Sequence, residues 1–337
     1  MDLKQTLFKL CDSNFIGNIH TAAQLAADML KAYTDDVTID DTGSVAAVIK
    51  GKTHKKIMLQ AHIDEVGMVV TGVLDNGFLK TAKVGGVDIR VLPASSVVIH
   101  AKEDIKGVFG SVPPHLSKDN EDKYPDLDKL CIDTGLDNAK DIVSVGDYVT
   151  YDIKAVELQN GFITAKSLDD RAACTALIYA AELITKNGTP DCTVVISLTS
   201  GEEIGNRGAT TAAYAVDADE AVAVDVSFGI SPCTPAEKCG VCSKGAMIGI
   251  SPVLSKAVTN ALVDAAKENG LSIQYEGMGG ETSTDADVIS ITKSGIPCGL
   301  LSIPLRYMHT PVEIISLTDV ENVANILAAY VKKGGAF

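Results

Sequence analysis

The stretch SLTSGEEIGNRGA constrains this chain more than any other. Residues 194–198 (VVISL) are an apolar run of strand length interrupted only by Ser197; the chain breaks at Gly201, and Glu202 and Glu203 follow at once. Such a run reads as a strand of a parallel sheet, buried between helices. In open sheets of this kind, ligands and chemistry sit just beyond the carboxyl ends of the strands. Two acids placed there are costly unless something positive binds them.

The rest of the chain repeats the pattern. Helices are expected near 3–12, 19–32, 170–187, 206–214, 252–269 and 316–333, and strands near 45–50, 56–63, 192–199, 220–226, 272–276 and 298–303. This alternation predicts an α/β fold, a mixed and largely parallel sheet covered by helices. Between 70 and 160 the texture changes to short β-like runs (78–84, 96–101, 105–109, 148–153) separated by turn residues. Residues 70–160 therefore read as an inserted β-rich domain, and 1–69 with 161–337 as the main domain. Inside the insertion, 111–129 is polar and carries prolines, which marks a long loop.

Composition narrows the class of function. A formal charge of −15 over 337 residues argues against a nucleic-acid surface and favours cationic ligands. No run approaches the ~18 apolar residues of a membrane span, and the first residues read as a short amphipathic helix rather than a secretory signal. Eight scattered cysteines point to reduced thiols and a cytoplasmic setting. Cys239 and Cys242 form a C-x-x-C with Cys233 nearby, but no second ligand pair accompanies them, so they read as ordinary thiols.

Several other acids and histidines fall at comparable places. In KKIMLQAHIDEVG an apolar strand closes on His62 and Asp64, which alternate to one side while Ile63 turns to the core. A carboxylate beside a ligand imidazole holds its ring. Asp169 and Asp170 stand at the start of a helix; one can cap it, leaving the other free for a metal. Asp225 follows the run 221–224 in AVAVDVS, and His309 lies in IPLRYMHTPVE between Pro304 and Pro311. His62, Asp169 or Asp170, Glu203, Asp225 and His309 are the donor set that two divalent ions need, with one carboxylate bridging. Glu202 is left as a general base.

The ordered series HIDEVG, LDDRAAC, TSGEEIGNRGA, AVDVS and PLRYMHTPVE resembles the dinuclear aminopeptidases of the forty-second metallopeptidase family, over essentially the whole chain. That family includes tetrahedral and glutamyl aminopeptidases and relatives labelled endoglucanase. The resemblance implies a zinc-peptidase-like fold whose insertion is a PDZ-like domain building dimers and larger homo-oligomers. It implies that Asp169 bridges two divalent ions, zinc or cobalt. One ion would also take His62 and Asp225, the other Glu203 and His309. Asp64 would orient His62, and the Asp169–Asp170 peptide would be cis. Glu202 would act as general base on a metal-bridging water, removing N-terminal residues from peptides with a free N-terminus. The chain departs from the family at Ala173 and Ser283, where glycine is common.

Two other readings compete. A glycoside hydrolase needs two carboxyls facing each other ~5–10 Å apart, which adjacent glutamates do not supply, and the chain has no Trp for a sugar platform. A non-catalytic binding or scaffold relative would not need every ligand. His115, on the long loop, reads as a loop or subunit-interface residue.

Overall fold

The computed structural model describes residues 1–116, 124, 126–232 and 234–337. Eight strands form the main sheet, in the order Ile273–Gly277, Ala246–Ile250, Cys298–Leu305, Glu220–Phe228, Lys56–His62, Thr193–Thr199, Val45–Ile49 and Val37–Ile39. The four strands from Cys298–Leu305 to Thr193–Thr199 pair in parallel. Val45–Ile49 pairs antiparallel with Thr193–Thr199, and Ala246–Ile250 with Cys298–Leu305. The sheet is mixed and largely parallel, as the alternation predicts.

The central parallel strands are mostly apolar because helices cover both of their faces. Every residue of Cys298–Leu305 is buried, and so is all of Glu220–Phe228 except its last. Helices Leu168–Lys186 and Leu317–Lys332 contribute to the core on one face, with Val222, Val224 and Leu301 among the strand residues beneath. The first helix presents Ala172, Ala173, Ala176, Ala180 and Ala181, all buried, so its backbone lies close to its neighbours. On the other face Arg207–Val216 and Ala286–Ser290 cover Ala221, Ala223 and Leu300. Each fully buried Leu or Ile in these layers stabilises the fold by about 1.5–3 kcal/mol.

A second unit is a closed barrel of six strands between Gly67 and Tyr151. It has its own core, built on Met68, Val70, Val97, Ile99, Phe109 and Val149. Its first strand, Gly67–Val73, begins five residues after His62. Past the barrel, a three-stranded sheet pairs Val156–Glu157 with Phe162–Ala165, and Phe162–Ala165 with Glu313–Ser316. That small sheet ties the start of helix Leu168–Lys186 to the segment after His309.

Some elements differ from expectation. The strand Ala246–Ile250 falls in a region with no expected element. Its helical neighbour starts late, at Lys256, with Ser255 as its cap. The strand carrying Asp225 runs on to Phe228, because Val226, Ser227 and Phe228 keep the extended backbone. Part of the expected loop 111–129, and Cys233, lie outside the described residues. Cys239 and Cys242 are both free, and Cys242 is buried. His115 is exposed on a short turn. Among the described residues no helix is long and apolar enough to cross a membrane.

Candidate active site

The central parallel strands open at a common edge, and the chemistry-bearing residues gather there. His62 is the last residue of its strand and is buried. Ile63 turns into the core at 0% exposure, while His62 Nδ1 lies 3.6 Å from Asp64 Oδ1. Asp64 also accepts from the backbone N–H groups of Glu202 (3.1 Å) and Glu203 (3.3 Å). One carboxylate thus fixes the turn that carries the two glutamates and stands beside the imidazole, whose Nδ1 has no hydrogen-bond partner.

Asp169 sits between the two histidines. Its Oδ1 is 3.0 Å from His62 Nε2 and its Oδ2 is 3.3 Å from His309 Nε2. Glu203 Oε1 is 3.3 Å from the same His309 nitrogen. Asp225 Oδ1 and Glu202 Oε2 lie 4.0 and 3.9 Å from His62 Nε2. Asp169 and Asp170 lie outside helical geometry at the start of Leu168–Lys186, and the peptide bond between them is cis. Asp170 Oδ1 accepts from the Ala173 N–H at 3.3 Å, a helix-capping bond.

His309 has a fixed tautomer. Its Nδ1–H donates to the Gly86 carbonyl at 3.1 Å, which leaves Nε2 free as a ligand. Its own N–H donates to Glu313 Oε1 at 2.7 Å, and the Asp169 N–H donates to Glu313 Oε2 at 3.1 Å. Glu313 therefore clamps two backbone segments of the site from below. Sequence reasoning missed it. Its signal was an acid directly before an apolar run (Ile314, Ile315), two residues after Pro311.

The electrostatics describe a site short of positive charge. Among the described residues no Lys or Arg lies within 4.0 Å of the Asp169, Glu202, Glu203 or Asp225 carboxylates. Burial pushes the Glu202 carboxyl up to about 8, with Asp285, Glu203 and Asp169 adding and His62 opposing. Burial likewise lifts Asp225 well above the carboxylate range, and Glu203 is raised. Burial alone would lower His309, but Asp169 and Glu203 outweigh it and hold the imidazole up at about 11. His62 is raised in the same way by Asp169, Asp64 and Glu202. Asp169 is the exception: despite burial, the two histidines hold it below the usual range.

The donor set fits divalent cations. Glu203 Oε1 and Asp170 Oδ2 are buried with no hydrogen-bond partner. Two groups of potential ligands have atoms within 4.8 Å of one another: His62, Asp169 and Glu203, and His62, Asp170 and Asp225. Imidazole nitrogens and carboxylate oxygens at this spacing suit ions such as zinc.

The model of one peptidase family, described as M42 glutamyl aminopeptidase, matches residues 43–326. The chain belongs to the M42 peptidase family. It is 30% identical over 319 residues to the lysyl aminopeptidase of Pyrococcus furiosus, covering 92% of this chain and 90% of that one. An aminopeptidase structure from the archaeon Desulfurococcus kamchatkensis is 30% identical, with a TM-score of 0.92 over 98% of this chain and 94% of that one. The TET1 peptidase of Pyrococcus horikoshii, whose structure is described as assembling into a tetrahedron or a large octahedral shell, is 27% identical. Its TM-score is 0.86, over 98% of this chain and 99% of that one. This M42 protein is a peptidase; its family is described as an aminopeptidase, and the Pyrococcus furiosus and Desulfurococcus kamchatkensis relatives are aminopeptidases. The glycosidase reading therefore falls.

Proposed function

We propose that this protein removes N-terminal residues from peptides with the help of two divalent ions. The observation that carries the reading is Asp169, whose two oxygens each face a different histidine. That is the arrangement of a bridging carboxylate. His62 and Asp225 would complete one ion's ligands, and Glu203 and His309 the other's. When bound, such a pair supplies Lewis acidity, polarising the scissile carbonyl and lowering the pKa of water. Zinc and cobalt both suit the donors.

The chain's own groups then divide the work. Glu202 takes the proton from the attacking water at a carboxylate oxygen and passes it to the leaving amine. Burial keeps its carboxyl high, and cations bound beside it bring it down toward the working range. Asp64 holds His62 and the Glu202–Glu203 turn in register. The acid-rich edge attracts the ammonium of a free N-terminus.

We assign the barrel, Gly67–Tyr151, to an inserted domain that builds homo-oligomers and the residues on either side to the catalytic domain. The expected bounds of 70–160 shift because strand Gly67–Val73 belongs to the barrel and Val156–Glu157 to the sheet beside the site. The shell assembly described for the Pyrococcus horikoshii neighbour supports that assignment. A cytoplasmic setting fits seven free cysteines among the described residues.

Hydrolysis of amino-acid anilides with a free α-amine, with and without chelator, tests the reading. Activity lost on chelation and restored by zinc or cobalt is the expected result. Activity that survives complete metal removal would sink it.

A further inference from the structure

Glu202 ends a hydrogen-bonded chain that metal binding does not require. The Asn206 side-chain amide carries two N–H bonds, and carboxylates accept both. Its Nδ2 lies 3.0 Å from Asp285 Oδ1 and 3.4 Å from Glu202 Oε1. Asp285 is fixed in turn, being only 2% exposed. Its Oδ2 accepts from Thr199 Oγ1 at 2.9 Å and from the Gln60 amide, and that amide also donates to Thr199 Oγ1 at 2.8 Å. Gln60 and Thr199 belong to two paired central strands. The chain therefore runs from Glu202 to the inner strands of the main sheet.

The backbone at Asn206 supports this use of the amide. Asn206 precedes helix Arg207–Val216 at the position where an Asn side chain usually caps the first turn. Here it makes no capping bond. Its φ is +56°, in the left-handed region that asparagine tolerates better than most residues. The amide is turned away from its own helix and set between two carboxylates.

We propose that Asn206 is the positioning residue of the general base. It holds Oε1 of Glu202 toward Asp285, so that Oε2, the oxygen 3.9 Å from His62 Nε2, is the one presented to the reaction. The inference rests on Glu202 acting as the base. Without the amide, two carboxylates would face each other with no donor between them, and repulsion would turn Glu202 away. Its free side-chain torsions would then spread the reactive oxygen over several positions.

Two substitutions test this in the full-length, metal-loaded protein. Asn206→Gly keeps the left-handed backbone accessible and removes the amide. Asn206→Asp keeps the shape and replaces the donor with a third acid. Both are expected to lower kcat about 10–100-fold, the scale of a misplaced catalytic group. KM should stay within about twofold, because substrate binding is untouched. Metal content should match the parent in both, and Tm should match it in Asn206→Gly, whereas the added acid should lower Tm in Asn206→Asp. If Asn206→Gly does not fold, Asn206→Asp carries the test. Full kcat in these variants, or a loss that follows metal content or KM instead, overturns the role of Asn206. Glu202→Gln is the control: if it turns over fully, the base assignment falls and takes this inference with it. If it is inactive while the Asn206 variants are not, only the inference falls.

Discussion

Glu203 aims Oε1 at His309 from 3.3 Å, whereas its neighbour Glu202 turns Oε2 toward His62 at 3.9 Å and gives Oε1 to Asn206. Adjacent residues leave a turn in different directions, so one acid can be a ligand while the other stays free for a proton. Two outcomes follow at this scale. Glu202→Gln keeps the shape and removes the basic oxygen, so kcat should fall by about 10²–10⁴. The metal content, read by elemental analysis, should not change. His309→Ala removes a donor from the Asp169–Glu203 side only, so the same analysis should show one ion lost and one retained. Two ions bound in His309→Ala would contradict the ligand assignment. These residue types were legible in the sequence because each stands at or just past an apolar strand, where an acid or imidazole has no structural reason to be. Glu313, Asp285 and Asn206 were not legible. Glu313 and Asn206 each have one partner four residues away, but the bonds that set their roles run to Asp169 and Asp285, and those of Asp285 to Thr199 and Gln60, all far away in the chain, where no local pattern records them.

The elements bring the site together through two junctions. The first is the entrance to helix Leu168–Lys186, where Asp169 and Asp170 depart from helical backbone before the regular turns begin. The periodicity from Ala172 onward announced that helix, but not the irregular residues ahead of it. The second junction joins the barrel to the sheet. Gly86 lies just after the barrel strand Leu79–Val84, and its carbonyl accepts the His309 Nδ1–H. A Cβ on Gly86 would sit 2.5 Å from that same nitrogen. Gly86→Ala should therefore push His309 off its position and weaken metal binding by about 10–100-fold, as other disturbed outer partners do. Competition with a chelator of known affinity measures this. Unchanged affinity would mean that the barrel loop yields instead. The strand Ala246–Ile250 shows where element reading from sequence stops. Five apolar residues carry no period, and a run so short cannot be told from part of a buried helix. Only its place between Ile273–Gly277 and Cys298–Leu305 makes it a strand.

At the scale of the whole molecule, the site is a concentrated source of instability until cations fill it. Asp225, Glu202, Glu203 and Glu313 all have carboxyls raised by burial, and His62 and His309 are raised by their acid neighbours. A group whose pKa is higher folded than unfolded binds more protons in the folded state, so stability drops as pH rises. For the acids the loss begins above their unfolded values near 4 and, for Glu202, extends to about 8. The histidines act in the same direction above their unfolded value of about 6.5. Asp169 acts in the opposite direction, since its pKa is lowered, but its window lies below its unfolded value of about 3.9. The chelated protein should therefore lose thermal stability steadily as pH rises from about 5 to about 8. Divalent ions should remove most of this slope by neutralising the carboxylates. At a hundredfold excess over Kd they should add about 2.7 kcal/mol of stability for a single site. Thermal melts of the chelated and the zinc-loaded chain across this pH range check both statements. A chelated protein whose Tm rises over that interval would show that the buried acids find another source of positive charge.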